Sequence, residues 1–261
     1  PEDALRATAQ PGPYERRLLA RLVLKATHEG GSLKYSRTWS IGQPSQADLR
    51  VAQNAERKEA EAAVTAAANL QQKMFAAAAP PASPLDEMTK VREALAAEGI
   101  AGFVDLEFPP LPTSIEPAPP GGRWADDSLG QRYGWKRPAG FLGKAKARVF
   151  AEGLVPSDVQ QGALGNCWVM CSIAAIAEFK ELVREIFVQK WSEGDGDENH
   201  DGGASDPDHM YALQLYKHGE KTTVVVDDYF PCRPGAGGKP AFSQAHGPEL
   251  WVLLIEKAYA K

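Results

Sequence analysis

The sequence has only three cysteines in 261 residues: Cys167, Cys171 and Cys232. That is too few for a disulfide-stapled secreted scaffold, and an odd number leaves at least one thiol free. A reducing setting, intracellular and cytoplasmic, is the simpler reading. No apolar run approaches the roughly 20 residues that a membrane-spanning helix needs, so no transmembrane segment is expected. A basic-then-apolar leader is also missing, although a chain opening on Pro1 rather than Met reads as a piece of something longer. Positive charge is not in excess. Lys and Arg total 29 against 34 Asp and Glu, a net charge of −5, which argues against nucleic-acid or polybasic membrane-surface partners. No internal repeat is visible at any period.

Hydrophobic residues make up 43% of the chain, enough for a packed core. Residues 14–25 (YERRLLARLVLK) predict a short amphipathic helix with Leu18, Leu19, Leu22 and Val23 on one face. Residues 47–79 are rich in Ala, Glu, Gln and Lys and predict a long helix. Its apolar stripe is thin (Leu49, Val51, Val64, Leu70, Met74, Phe75), so a solvated spacer is expected. Pro80, Pro81 and Pro84 end it, and residues 85–99 predict a further helix closed by Gly99. The proline-heavy run from Pro109 to Pro120 should lie extended over a surface. The aromatics that follow, Trp124, Tyr133, Trp135 and Phe141, suggest a segment wrapped against a core. Further on, helical periodicity runs from Asn166 to about Trp191 with a break near Phe179. Residues 211–216 and 222–226 read as strands joined at His218-Gly219, and Gly235, Gly237 and Gly238 mark another turn. A strong helix closes the chain at 249–261, its last residue Lys261 expected to lack a capping partner. The pattern is α+β, helix-rich with one small antiparallel sheet.

One segment carries nucleophile chemistry. Residues 159–178 read VQQGALGNCWVMCSIAAIAE, where Gly165 and Asn166 turn the chain and Cys167 opens an apolar helix. The first helical turn has amide donors without intrahelical partners, an arrangement that favours a thiolate over a thiol. Gln161 lies six residues earlier, across the glycine turn. Its side-chain amide can fold back and, with the Cys167 backbone amide, supply two donors to an oxyanion. The alternative is a buried, inert helix cysteine.

The run Gln161-Gly162-Ala163-Leu164-Gly165-Asn166-Cys167-Trp168 resembles the nucleophile motif of the calpain family, a branch of the papain-like cysteine proteases. Asn166 stands where that family usually has aspartate. Four further segments resemble the family in its own order: residues 103–110 (FVDLEFPP), 135–138 (WKRP), 224–231 (VVVDDYFP) and 249–261 (ELWVLLIEKAYAK). The resemblance covers about residues 100–261 and implies the helical first lobe of a papain-like protease. Residues 1–99 would then be an N-terminal extension, helical and irregular, containing the Ala-rich spacer.

The resemblance implies that Cys167 is the nucleophile and Gln161 the oxyanion-hole donor. It places the catalytic histidine and its orienting asparagine in a second subdomain, beyond the end of this chain. None of His28, His200, His209, His218 and His246 sits in the expected context, and ordinary surface placement is expected for them. This chain alone is therefore expected to be inactive, its partners being protein substrates and the downstream subdomain. The resemblance also implies a calcium ion held by the carboxylates of Asp158 and Glu249 and the carbonyls of Ala151 and Gly153; calcium prefers such hard oxygens. The alternative for these two acids is a turn cap at Asp158 and a favourable first-turn position at Glu249. A second acidic stretch, 195–208, matches a calcium loop poorly. Asp208 replaces the usual final glutamate and Pro207 blocks a following helix, so a solvated insertion is expected. The leading functional reading is an intracellular calcium-dependent cysteine endopeptidase; the other is a calpain-like scaffold or regulatory module without catalysis.

Overall fold

The computed structural model of the chain describes residues 45–77, 82–121, 124, 128–143, 145–150, 154–189, 205–235, 238–244 and 247–261. The helix expected at 14–25, most of the acidic stretch (195–204), His28, His200, His246, Ala151 and Gly153 lie outside the described residues. The chain divides into two units, 1–52 and 53–261. Of the first, the described part is the beginning of helix α1 (Gln46–Ala77). Ser45 and Asp48 cap it reciprocally: the Asp48 amide donates to Ser45 Oγ at 3.2 Å and the Ser45 amide to Asp48 Oδ2 at 3.2 Å.

In the second unit α1 continues to Ala77, and α2 (Pro84–Glu98) follows. Pro84 does more than stop α1. It occupies the first turn of α2, where a proline's missing amide costs nothing, and Ser83 Oγ caps the turn by accepting from the Asp86 amide at 3.1 Å. Gly99 ends α2 at φ 64, as expected. The remaining described elements are α3 (Leu129–Arg132), β1 (Gly134–Lys136), α4 (Pro138–Leu142), β2 (Gln160–Gln161), α5 (Cys167–Ala177), α6 (Lys180–Ile186), β3 (Met210–Lys217), β4 (Glu220–Asp227), β5 (Phe230–Cys232), β6 (Ser243–Gln244) and α7 (Trp251–Ala260). They form three two-stranded antiparallel sheets, β1–β5, β2–β6 and β3–β4, where the sequence led us to expect one. The proline-heavy segment runs without regular structure apart from a 3₁₀ turn at Pro112–Ser114.

The β3–β4 hairpin organises the unit. Its turn is His218-Gly219, with φ 54 and 83; two consecutive positive φ values match the right-handed twist of the flanking strands. Strand side chains alternate between faces, and here both faces are covered. Tyr211, Leu213 and Val226 enter a core built on α7 (Trp251, Leu254, Ala258) and α5 (Val169, Met170, Ile173). Met210 and Ala212 point the other way, into a cluster with Leu70 of α1 and Met88 and Leu95 of α2. Burial on both sides explains why β3 reads as the unbroken apolar run MYAL. Burying a side chain such as Leu213 or Leu254 fully is worth about 1.5–3 kcal/mol.

α1 is therefore not a solvated spacer. Ala60 and Leu70 are 1% and 6% exposed, and Ala60 packs with Val104, Trp135 and Tyr229. Alanine adds little to an apolar stripe, yet its small side chain allows the helix backbone to come close. On the same helix, Glu56 pairs with the buried Lys136 at 3.2 Å. Burial pushes the Glu56 carboxyl above the usual glutamate range, with the Lys136 charge acting in the opposite direction.

Candidate active site

The short β2–β6 pair sets the entry to the site. Gln160 and Gln161 lie opposite Gln244 and Ser243, and the Ala163 amide donates to the Ala241 carbonyl at 2.8 Å. Between these contacts the chain passes so close to its neighbour that a Cβ on Gly162 would sit 1.9 Å from the Phe242 carbonyl oxygen. Only glycine fits there. The loop then reaches Asn166, whose carbonyl accepts the Val169 and Met170 amides at 2.9 and 3.2 Å and so begins α5.

Cys167 is the first residue of α5 and is exposed. Its amide and that of Trp168 belong to the first turn, where donors have no intrahelical acceptor. Gln161 is exposed as well, and its side chain is turned onto the same loop, Nε2 donating to the Leu164 carbonyl at 2.9 Å. One of its two amide hydrogens is thus committed to the loop carbonyl, which fixes where the other can point. Of the inert-cysteine alternative, burial does not hold for Cys167, whose thiol lies at a helix start and is exposed. Cys232, on β5, is fully buried, and its thiol is pushed up to about 12 by that burial.

Glu256 is a residue whose role the sequence did not disclose. From α7 it accepts the Asn166 side-chain amide at 2.5 Å on one oxygen and the Ser243 backbone amide at 3.0 Å on the other. It thereby ties the β6 strand beside Gln161 to the residue preceding Cys167. The one acidic residue of a helix that is mostly apolar was the available signal. Trp168 packs edge-to-face on Tyr259 with ring centroids 5.3 Å apart, and both rings are more than half exposed.

The other motifs converge on a buried polar network behind the hairpin. Asp227 accepts the amides of Asp105 and Tyr229, each at 2.7 Å, and the Lys257 ammonium. Asp228 accepts from Arg137 at 2.5 Å and lies 2.6 Å from His209 Nδ1. Arg137 also donates to the Phe103 carbonyl at 2.6 Å. Burial raises the Asp105 carboxyl above the usual range despite its contacts with Lys261 at 3.0 Å. One expectation is corrected here. His209 is not an ordinary surface histidine: it is paired with a buried aspartate and held at φ 57. The Lys261 side chain joins the same network, its ammonium bonding Asp105, Glu107 and the Val225 carbonyl.

The two carboxylates of the expected calcium site are both buried, Asp158 at 8% and Glu249 at 5% exposure. Asp158 closes the 3₁₀ turn Pro156–Asp158 by accepting the Val155 amide at 3.0 Å. Glu249 precedes α7 rather than lying in it; it bridges to Arg148 and accepts the Trp251 indole N–H at 3.0 Å. Among the described residues no group of three or more His, Cys, Asp or Glu side chains is gathered for a metal. The end of the acidic stretch is spoken for, because Asp206 and Asp208 both pair with Arg92 of α2. A cavity of about 1280 Å³ opens between α1, α2 and the hairpin, but neither Cys167 nor Gln161 lines it.

Cys167 thus opens α5 exposed, and the Gln161 side chain of β2 is turned onto the loop that leads to it. Residues 103–261 match the family described as calpain family cysteine protease, and the chain belongs to that family. It is 34% identical over 182 residues to the calpain-type cysteine protease DEK1 of Arabidopsis thaliana, covering 66% of this chain and 7% of that protein. With the rice calpain-type cysteine protease ADL1 it shares 33% over 178 residues, again 66% and 7%. With the human calpain-1 catalytic subunit it shares 33% over 162 residues, 61% of this chain and 20% of that one. The chain thus spans between about a fourteenth and a fifth of the length of these relatives. Among the described residues no helix is long and apolar enough to cross a membrane.

Proposed function

We propose that this chain supplies the nucleophile and the oxyanion-binding groups of a calcium-dependent cysteine endopeptidase acting on protein substrates. The observation that carries the reading is the exposed Cys167 at the first position of α5 with the Gln161 amide on the adjoining loop. The Cys167 sulfur attacks the scissile carbonyl carbon. The carbonyl oxygen takes up the negative charge and accepts hydrogen bonds from the Cys167 backbone amide and the Gln161 side chain. Collapse of the adduct expels the amine and leaves an acyl-thioester, which water then cleaves.

The proton acceptor comes from elsewhere. His209 is committed to Asp228 and His218 forms the hairpin turn, so the described histidines serve the opposite ends of β3. A histidine from a second subdomain is the base in this scheme, and residues 1–261 alone are inactive. The exposed Trp168–Tyr259 pair beside Cys167 is a surface that such a partner would cover. Three free cysteines are consistent with a reducing, intracellular compartment.

Asp158 and Glu249 suit a calcium ion chemically. Both are buried hard-oxygen groups, and the carbonyls of Ala151 and Gly153 would complete the set. When bound, the cation supplies positive charge that offsets the two carboxylates. Calorimetric titration with calcium tests this part: heat of binding is expected for the chain and a weaker response for Asp158→Asn, whereas no heat up to millimolar calcium removes it. The protease reading is tested on the complete protein with a casein substrate. Calcium-stimulated cleavage abolished by Cys167→Ala supports it; cleavage unaffected by that substitution removes Cys167 as the nucleophile, and no cleavage at all favours a scaffold.

A further inference from the structure

The protease scheme uses one of two exposed thiols. Cys171 lies four residues after Cys167 on α5, so the two occupy one face of the helix, one turn apart, and both are exposed. We infer that Cys171 is a resolving thiol for Cys167, allowing a hydroperoxide to convert the pair into a reversible intrahelical disulfide.

In the first step the Cys167 thiolate attacks a peroxide oxygen. An S–O bond forms, the O–O bond breaks, hydroxide leaves, and Cys167 becomes a sulfenic acid. In the second step the Cys171 thiolate attacks the Cys167 sulfur; an S–S bond forms and the S–O bond breaks, the oxygen departing as water after protonation. Two thiols are oxidised by two electrons and the peroxide is reduced to two waters.

The geometry sets a requirement. Side chains four apart on a regular helix have Cβ atoms about 5–6 Å apart, whereas a disulfide needs about 3.5–4.5 Å. The first turn of α5 must therefore loosen, and the structure leaves it weakly secured. Asn166, at the N-cap position, makes no side-chain cap to the helix. Its amide nitrogen is directed to Glu256 instead, and its Oδ1 is buried without a hydrogen-bond partner. Cys232, fully buried, is an internal control that stays out of the reaction.

The test is treatment of the native 261-residue chain with a small excess of hydrogen peroxide, followed by thiol counting, intact-mass measurement and dimedone trapping of sulfenic acid. The expected result is loss of two of the three thiols, a mass lower by two hydrogens, a monomer on a non-reducing gel and full recovery with dithiothreitol. In Cys171→Ser the dimedone adduct on Cys167 should rise on the order of tenfold, because nothing removes the sulfenic acid. Dibromobimane, which joins only neighbouring thiols, should cross-link Cys167 to Cys171 in the unsubstituted chain, a readout that needs no variant. Equal dimedone labelling with and without Cys171, an intermolecular disulfide, or no bimane cross-link would each overturn the inference.

Discussion

Replacing Asp227 by alanine probes the network that gathers the family motifs around the hairpin. The side chain is fully buried, accepts two backbone amides at 2.7 Å, and is the counterion of Lys257, itself 5% exposed. Alanine would leave the Lys257 ammonium buried with the Tyr229 carbonyl, at 2.9 Å, as its remaining hydrogen-bond acceptor among the described residues, and would orphan the Asp105 and Tyr229 amides. Breaking a buried pair from one side costs about 3–5 kcal/mol, and each orphaned amide adds about 1–3 kcal/mol where water cannot reach it. These costs overlap, so a loss of about 4–6 kcal/mol is expected, a large share of the 5–15 kcal/mol typical of a domain. Asp227→Asn keeps an acceptor and should lose less. The assay is urea unfolding followed by the fluorescence of the buried Trp135 and Trp251. The double variant Asp227→Asn/Lys257→Met should recover part of the loss, since it removes both charges. A change below about 1 kcal/mol in Asp227→Ala would mean that the network does not hold the hairpin as described.

Gly162→Ala should displace the loop bearing Cys167, because the new Cβ meets backbone rather than a movable side chain. About 1–3 kcal/mol of destabilisation by overpacking is expected in urea unfolding, together with slower alkylation of Cys167. Cys232 gives a pH prediction. Its thiol rises from an ordinary 9.0 to about 12 in the folded chain, so between those values the unfolded chain releases a proton that the folded one retains. Stability is then undiminished below pH 9 and falls as pH rises toward 12, by up to about 4 kcal/mol; Cys232→Ala should flatten that slope in pH-dependent unfolding. The calcium titration described above is the remaining expectation, with Asp158→Asn as its control.

The hairpin, α2, α5, α6 and α7 were legible because each rests on local signals: period-2 or helical patterning, Gly99 at a left-handed cap, the His218-Gly219 turn and the break at Phe179. Cys167 was legible for the same reason, since a glycine turn before an apolar run announces a helix start. The docking of α1 was not. It depends on Ala60 and Leu70 meeting surfaces 18 or more residues away in sequence, and an alanine face carries no hydrophobic stripe. Nor was the pairing of His209 with Asp228, nor the bridge that Glu256 makes to Asn166 and Ser243. The first joins the two open ends of the hairpin and the second reaches from α7 to Asn166, 90 residues away, and nothing local marks either partner. The extra two-stranded sheets escaped because strands of two or three residues are too short to show a period.

The most direct test of the central claim is the rate at which iodoacetamide alkylates each cysteine of the complete protein, resolved by peptide mapping, with and without calcium. Cys167 should react faster than Cys171 by at least about tenfold when calcium is present, as an activated thiol does, while Cys232 stays unmodified until the chain unfolds. Equal rates at Cys167 and Cys171 in both conditions would contradict the assignment of Cys167 as nucleophile.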